Sequence, residues 1–330
     1  MKGTRITATD LLIAMFSVAA PSEFRPKLRE FLEELRGRGW ELEASVIIRC
    51  IVSVTRGQGN LTAFRRAGQT LSREELLQGL EDVKEYINQL IMILEPMGID
   101  SSEVLPSGNV IPPAVTYLYQ KRGRISEKER KLLFLWILLA SFWGRYAGAT
   151  DTRLGEDIKE IIEQRGIEGL FRKLRNQIGR LRIDEESYIE RSYGNRLVYY
   201  VLCKRRGAVD WFTGAGIGPG FHRHHIFPRS ILLKHKRYNK NELIDHIGNI
   251  ALVMGKVNQK IRNAEPKKYL ASIPPERLEQ QFVPLEHDLW DIRNYEVFLK
   301  RRVKLMLTAI NGLLDDLGLK YIECYLTANS

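Results

Sequence analysis

Between Leu132 and Trp143 the chain reads LLFLWILLASFW, the most apolar stretch of its 330 residues. Twelve residues make a helix of about 18 Å, short of the roughly 30 Å that a bilayer core demands. The segment therefore reads as a helix buried inside protein, and the sequence around it reads as helical too. Thr9 is placed to cap a helix over DLLIAMFSVAA, with Asp10 in its first turn. Residues 26–37 open on proline and close on glycine. The segments 43–55 and 73–96 carry apolar residues at steps of three and four. Ser126 and Glu129 make a capping-box pattern ahead of a helix over 128–146. Further helices are predicted over 154–164, 167–178 and 187–205. At 44% hydrophobic residues, a chain of this length can bury one large core or two smaller ones.

The texture changes at residue 207. GAVDWFTGAGIGPGF holds five glycines and a proline in fifteen residues, where no helix persists, and a flexible hairpin is expected. Two short strands are predicted at 221–226 and 249–253, then a helix over 255–263, which is the order of a ββα unit. The tail over 285–316 returns to helical spacing. The expected fold class is mainly α: a multi-helix body over 1–205, an embedded ββα module over 206–270, and a helical C-terminal segment over 271–330.

Charge is concentrated in that middle region. Fourteen Lys/Arg face four acidic residues between Lys204 and Lys268, ten of the chain's net eleven positive charges. Such a window points to a polyanionic partner. Cys50, Cys203 and Cys324 lie far apart with no CxxC pair, which suits a reducing cytosol. MKGTRITATD lacks the apolar core of a signal peptide. The expectation is a soluble, cytoplasmic protein with no membrane partner.

The chemistry-bearing residues fall in the same window. His222, His224 and His225 lie within four positions, and histidine both binds metals and carries protons near neutrality. In a strand, His222 and His224 would share a face. The glycine run 214–220 lacks GK[ST], so a nucleotide-binding P-loop is not supported. Trp211 and Phe212 are read as packing residues or as base-stacking ones. His246 reads as structural.

FHRHHIFPRS, then IDHIGNIALVMGKVNQKIRN, then PKKYL, resemble the HNH (ββα-metal) nuclease region of GmrSD-type modification-dependent restriction enzymes, with their H-x-D-H-I-F-P, G-N, N and P-x-x-Y pattern. WILLASFWGRYAGATDTRL is similar to the helical segment preceding that region. The resemblance implies a metal-dependent DNA endonuclease serving a restriction or defence system. It implies His225 as general base, His224 and Asn258 as metal ligands, and Asn249 as the brace of the ββα loop. Nucleic-acid contacts would come from His222, Arg223, Arg229, Lys256, Lys260 and Arg262. The ion would be Mg2+ or Mn2+, with Ni2+ or Zn2+ as alternatives. His224 stands where the family has aspartate. Losing that hard oxygen should tilt preference toward manganese or a later transition metal. The resemblance further implies a nucleotide-dependent function on a separate partner chain or a preceding domain. The competing readings are a non-catalytic DNA-binding module and a different metal hydrolase.

Overall fold

The computed structural model describes residues 8–163, 166–255, 261 and 263–329. They form a mainly helical protein with a single two-stranded antiparallel sheet among the described residues. No helix among the described residues is long and apolar enough to cross a membrane. The chain divides into two compact units: residues 1–181 with 315–330, and Arg182–Leu314. This division differs from the three blocks expected from sequence. Helix Ser192–Arg205 belongs with the strands, and helix Leu319–Ala328 with the first unit.

In the first unit, the apolar run lies in helix Glu127–Phe142, and every residue from Leu132 to Phe142 is buried. Ser126 and Glu129 form the expected capping box, satisfying two N-terminal N–H groups reciprocally. Helix Ile111–Gln120 escaped the sequence reading; its Pro112 and Pro113 sit in the first turn, where proline costs no hydrogen bond. Just after the apolar helix, Arg145 is 2% exposed and makes a two-bond fork to the buried Asp157 carboxylate at 2.9 and 3.1 Å. The Tyr146 hydroxyl donates to the same carboxylate at 2.6 Å. A buried ion pair is tolerable only when its lone pairs are met in this way.

The second unit is built around β1 (Phe221–His225) and β2 (Ile250–Met254), paired with His224 opposite Ala251 and His225 opposite Ile250. The region expected as one helix over 187–205 is broken at Arg191, which leaves helical geometry at φ −86°, ψ 74°. In the C-terminal tail the long helix begins at Tyr295, preceded by short 3-10 turns at His287–Trp290 and Ile292–Asn294. The glycine-rich segment closes a turn through an antiparallel bridge between Val209 and Gly216. Helix 255–263, the expected third part of the ββα unit, falls largely outside the described residues.

A two-stranded sheet leaves one edge of each strand open, and buried backbone groups there must find partners. The outer edge of β2 finds them in side chains. The Arg302 guanidinium donates to Ile250 O at 2.6 Å. The Gln281 amide accepts from Leu252 N–H at 2.8 Å and donates to Leu252 O at 2.9 Å, as a third strand would. The Asp210 carboxylate accepts from Met254 N–H at 2.8 Å. Gln281 and Arg302 are both fully buried. Gln281→Leu removes both bonds to Leu252 without offering water in their place. It should destabilise by about 2–4 kcal/mol, read as a lower urea midpoint at unchanged m-value; a midpoint within error of wild type would refute the edge argument.

Candidate active site

At the end of the hairpin Asn249 does the work of a missing strand residue. Fully buried, it accepts from Phe227 N–H through Oδ1 at 2.8 Å and donates through Nδ2 to Phe227 O at 3.1 Å and Ile244 O at 2.9 Å. Its carbonyl also accepts from Ile226 N–H at 2.8 Å. The ladder is thus carried past His225 before Pro228 turns the chain away. Gly248 is fixed by close approach: a Cβ there would meet the Leu299 carbonyl at 3.2 Å. The resemblance implies Asn249 as the brace of this loop, and these are the bonds its side chain makes.

His225 ends β1 on the side away from the core. Its Nε2 lies 2.8 Å from Asp245 Oδ1. The second Asp245 oxygen accepts from Arg229 at 3.3 Å, and Arg229 also donates to Asn241 Oδ1 at 3.0 Å. Burial works to raise the Asp245 carboxyl, but the His225 hydrogen bond and the charges of His225, Arg229 and Arg223 hold it below the ordinary aspartate value. Asp245 is therefore ionised near neutrality and can only accept. In neutral His225 the proton then sits on Nε2 and the lone pair on Nδ1. Beside this ring opens a cleft of about 380 Å³, lined by Arg223, His224, His225, Pro228, Arg229, Ser230, Leu233 and Asn263. Asn263 accepts from the Ser230 hydroxyl at 2.8 Å.

His224 faces the other way, as strand alternation requires. It is 2% exposed, edge-on to Trp211 and Tyr269. Its Nε2 is 3.1 Å from the Tyr269 hydroxyl, which donates its own proton to Ile226 O at 2.9 Å. The hydroxyl oxygen can then only accept from His224 Nε2–H, which leaves the His224 lone pair on Nδ1. A histidine whose second nitrogen donates to a fixed oxygen has the outer support usual for a metal ligand. Among the described residues no group of three or more His, Cys, Asp or Glu could hold a metal ion. A ligand pair of one imidazole and one amide, as the resemblance implies, is of a different kind.

The remaining expected residues divide plainly. His222 is exposed, its ring over Gly255, where a Cβ would meet Nε2 at 2.8 Å. Arg223 and Arg229 line the cleft. Asn258, Lys256, Lys260 and Arg262 lie outside the described residues. Trp211 is fully buried and packs beneath the module, whereas Phe212 is 45% exposed. Asp245 and Tyr269 were not singled out in the sequence, although Tyr269 is the tyrosine of the P-x-x-Y pattern. An acidic residue three positions before a Gly-Asn pair was the only available sign of Asp245. No protein-family model matches this chain, and no curated protein matches it in sequence.

His246 is structural, accepting from Gly248 N–H through Nδ1 at 3.0 Å. Burial, and then the charge of Arg302, lower its pKa from 6.5 to about 4. The unfolded chain therefore binds a proton that the folded one refuses, so this contribution is complete above pH 6.5 and is lost as pH falls toward about 4. His246→Asn keeps an acceptor for Gly248 and removes the titration. Its thermal midpoint should fall less steeply than that of wild type between pH 6.5 and 4; parallel profiles would refute the assignment.

Proposed function

We propose that this chain is a metal-dependent DNA endonuclease that hydrolyses phosphodiester bonds, working as the nuclease part of a restriction or defence system on modified or foreign DNA. The observation that carries the reading is the His225–Asp245 pair at a cleft that also holds Arg223 and Arg229. Hydrolysis needs a base for the attacking water and positive charge on the phosphate. His225 Nδ1 takes the water's proton as its oxygen bonds to phosphorus and the bond from phosphorus to the leaving sugar oxygen breaks; Asp245 stabilises the imidazolium that forms, and the departing oxygen takes a proton from solvent. Arg229 binds a non-bridging oxygen and orients the phosphodiester, and Arg223 adds positive charge to the same cleft. His224 and Asn258 would hold the divalent ion, Mg2+ or Mn2+ with Ni2+ or Zn2+ as alternatives. When bound, such an ion neutralises charge on the phosphate and the leaving oxygen. The resemblance further supports a separate nucleotide-dependent partner chain or domain.

His225→Ala is expected to abolish plasmid cleavage while retaining DNA binding. Asp245→Asn, which keeps the shape but loses the anion, should lower the cleavage rate by at least about 10²-fold, by analogy with acid-to-amide changes beside a catalytic histidine. Wild-type protein that binds DNA but cuts none with any divalent ion would leave only the binding-module reading. Metal preference is a separate test. His224→Asp restores a hard oxygen ligand and should raise the ratio of magnesium- to manganese-supported cleavage; an unchanged ratio would remove His224 from the ligand set.

A further inference from the structure

We propose that Tyr193, Arg196 and Arg223 form a subsite for a nucleotide flanking the scissile phosphate, the two guanidiniums taking its phosphate and the Tyr193 ring stacking on its base. The proposal rests on the nuclease reading for the identity of the ligand, and on a different set of residues for its argument.

Tyr193 and Arg196 stand three residues apart in the first turn of helix Ser192–Arg205, so they share a face. The helix is buried at Gly194 and Asn195 and from Leu197 to Cys203, but Tyr193 and Arg196 face outward: Tyr193 is 71% exposed, among the most exposed large side chains of the unit. The Arg196 guanidinium lies 5.3 Å from the ring centroid, which fixes both groups and costs neither its outer face. Arg196 makes no ion pair among the described residues.

Arg223 lies on β1 two residues before His225, on the same strand face, and lines the same cleft. It is half-buried, its Nε is closed off from water with no hydrogen-bond partner among the described residues, and it makes no ion pair there. Burial first, and then the charge of Arg196, weaken its hold on its proton, and the charge of Asp245 only partly opposes them. Two cations thus sit within reach of each other's field, one partly stripped of water, and among the described residues neither lies within ion-pair distance of an acid. That arrangement costs free energy in the resting protein, and an anion bound between them removes the cost. The adjacent open ring makes a nucleotide the better fit than a free anion, because every nucleobase has a face to stack. A base can reach a surface tyrosine only when it is unstacked from its neighbours, so the subsite should favour single-stranded or locally opened nucleic acid.

The test uses fluorescence anisotropy of a labelled single-stranded oligodeoxynucleotide, and of its duplex, with EDTA present to prevent cutting and with salt varied. Tyr193→Leu should weaken single-strand binding about tenfold, leave the salt dependence unchanged, and alter duplex binding far less. Arg196→Gln should reduce the slope of log K against log salt by about 0.7 on the single strand, the share of one phosphate contact. Thermal midpoints like that of wild type confirm that both surface variants fold. Wild-type affinity and slope in both variants overturn the subsite; plasmid cleavage by wild type, measured alongside, then keeps the nuclease reading standing. Shifts as expected without cleavage support the subsite and count against hydrolysis. A wild type that binds neither oligonucleotide sinks both.

Discussion

Arg302 places a full positive charge at the centre of the second unit with no exposed surface and no carboxylate bonded to it among the described residues. The charge is held by oxygen dipoles instead. One nitrogen donates to Gly248 O at 2.9 Å and Ile250 O at 2.6 Å, the other to Gln281 O at 2.9 Å and the Tyr199 hydroxyl at 2.8 Å. A guanidinium presents its donors in a rigid fork and stays charged at any working pH. No other side chain could meet so many carbonyls at once without water. The cost of burying the ion is offset by closing backbone groups that would otherwise be stranded in a dry core.

The site inherits its geometry from that network. Arg302 and Gln281 fix β2; Asn249, at its head, fixes Phe227 and Ile244; and that pins the end of β1, where His225 emerges. Asp245 follows Ile244 directly, so the carbonyl Asn249 binds at Ile244 also sets where the Asp245 carboxylate can reach. Catalytic hydrogen bonds tolerate displacements of well under an ångström. Here His225 and Asp245 hang from the same buried amide, which ties their separation to one side chain.

Much of this could be read in the sequence where local physics decides. The capping box at Ser126, the buried apolar helix and both strands to within a residue all follow from spacing or short patterns, whereas a bracing role for Asn249 comes only from the resemblance. What escaped was decided by distance along the chain. Alternation says that His224 and His225 face opposite ways, but not which face is dry. That depends on Trp211 and Tyr269, thirteen and forty-five residues away in sequence. Asp245, Gln281 and Arg302 looked like ordinary polar residues because their partners lie on other elements. The break at Arg191 escaped for the opposite reason, since nothing in SYIERSYG forbids a continuous helix and tertiary packing overrides so weak a preference.

The basic window gains a more exact meaning from the same comparison. Net charge treats its lysines and arginines alike, yet several are spoken for. Lys204 donates to Ile217 O, Arg206 lies over Phe282, Arg237 pairs with Glu296, and Lys268 pairs with Glu265. Arg229 is shared with Asp245. Arg223 has no such partner among the described residues, and it is the one that stands on the strand of His225. An excess of charge attracts a polyanion from solution over a Debye length. Under the nuclease reading, a cation with no ion pair among the described residues, held beside His225, would give that polyanion a particular place to stop.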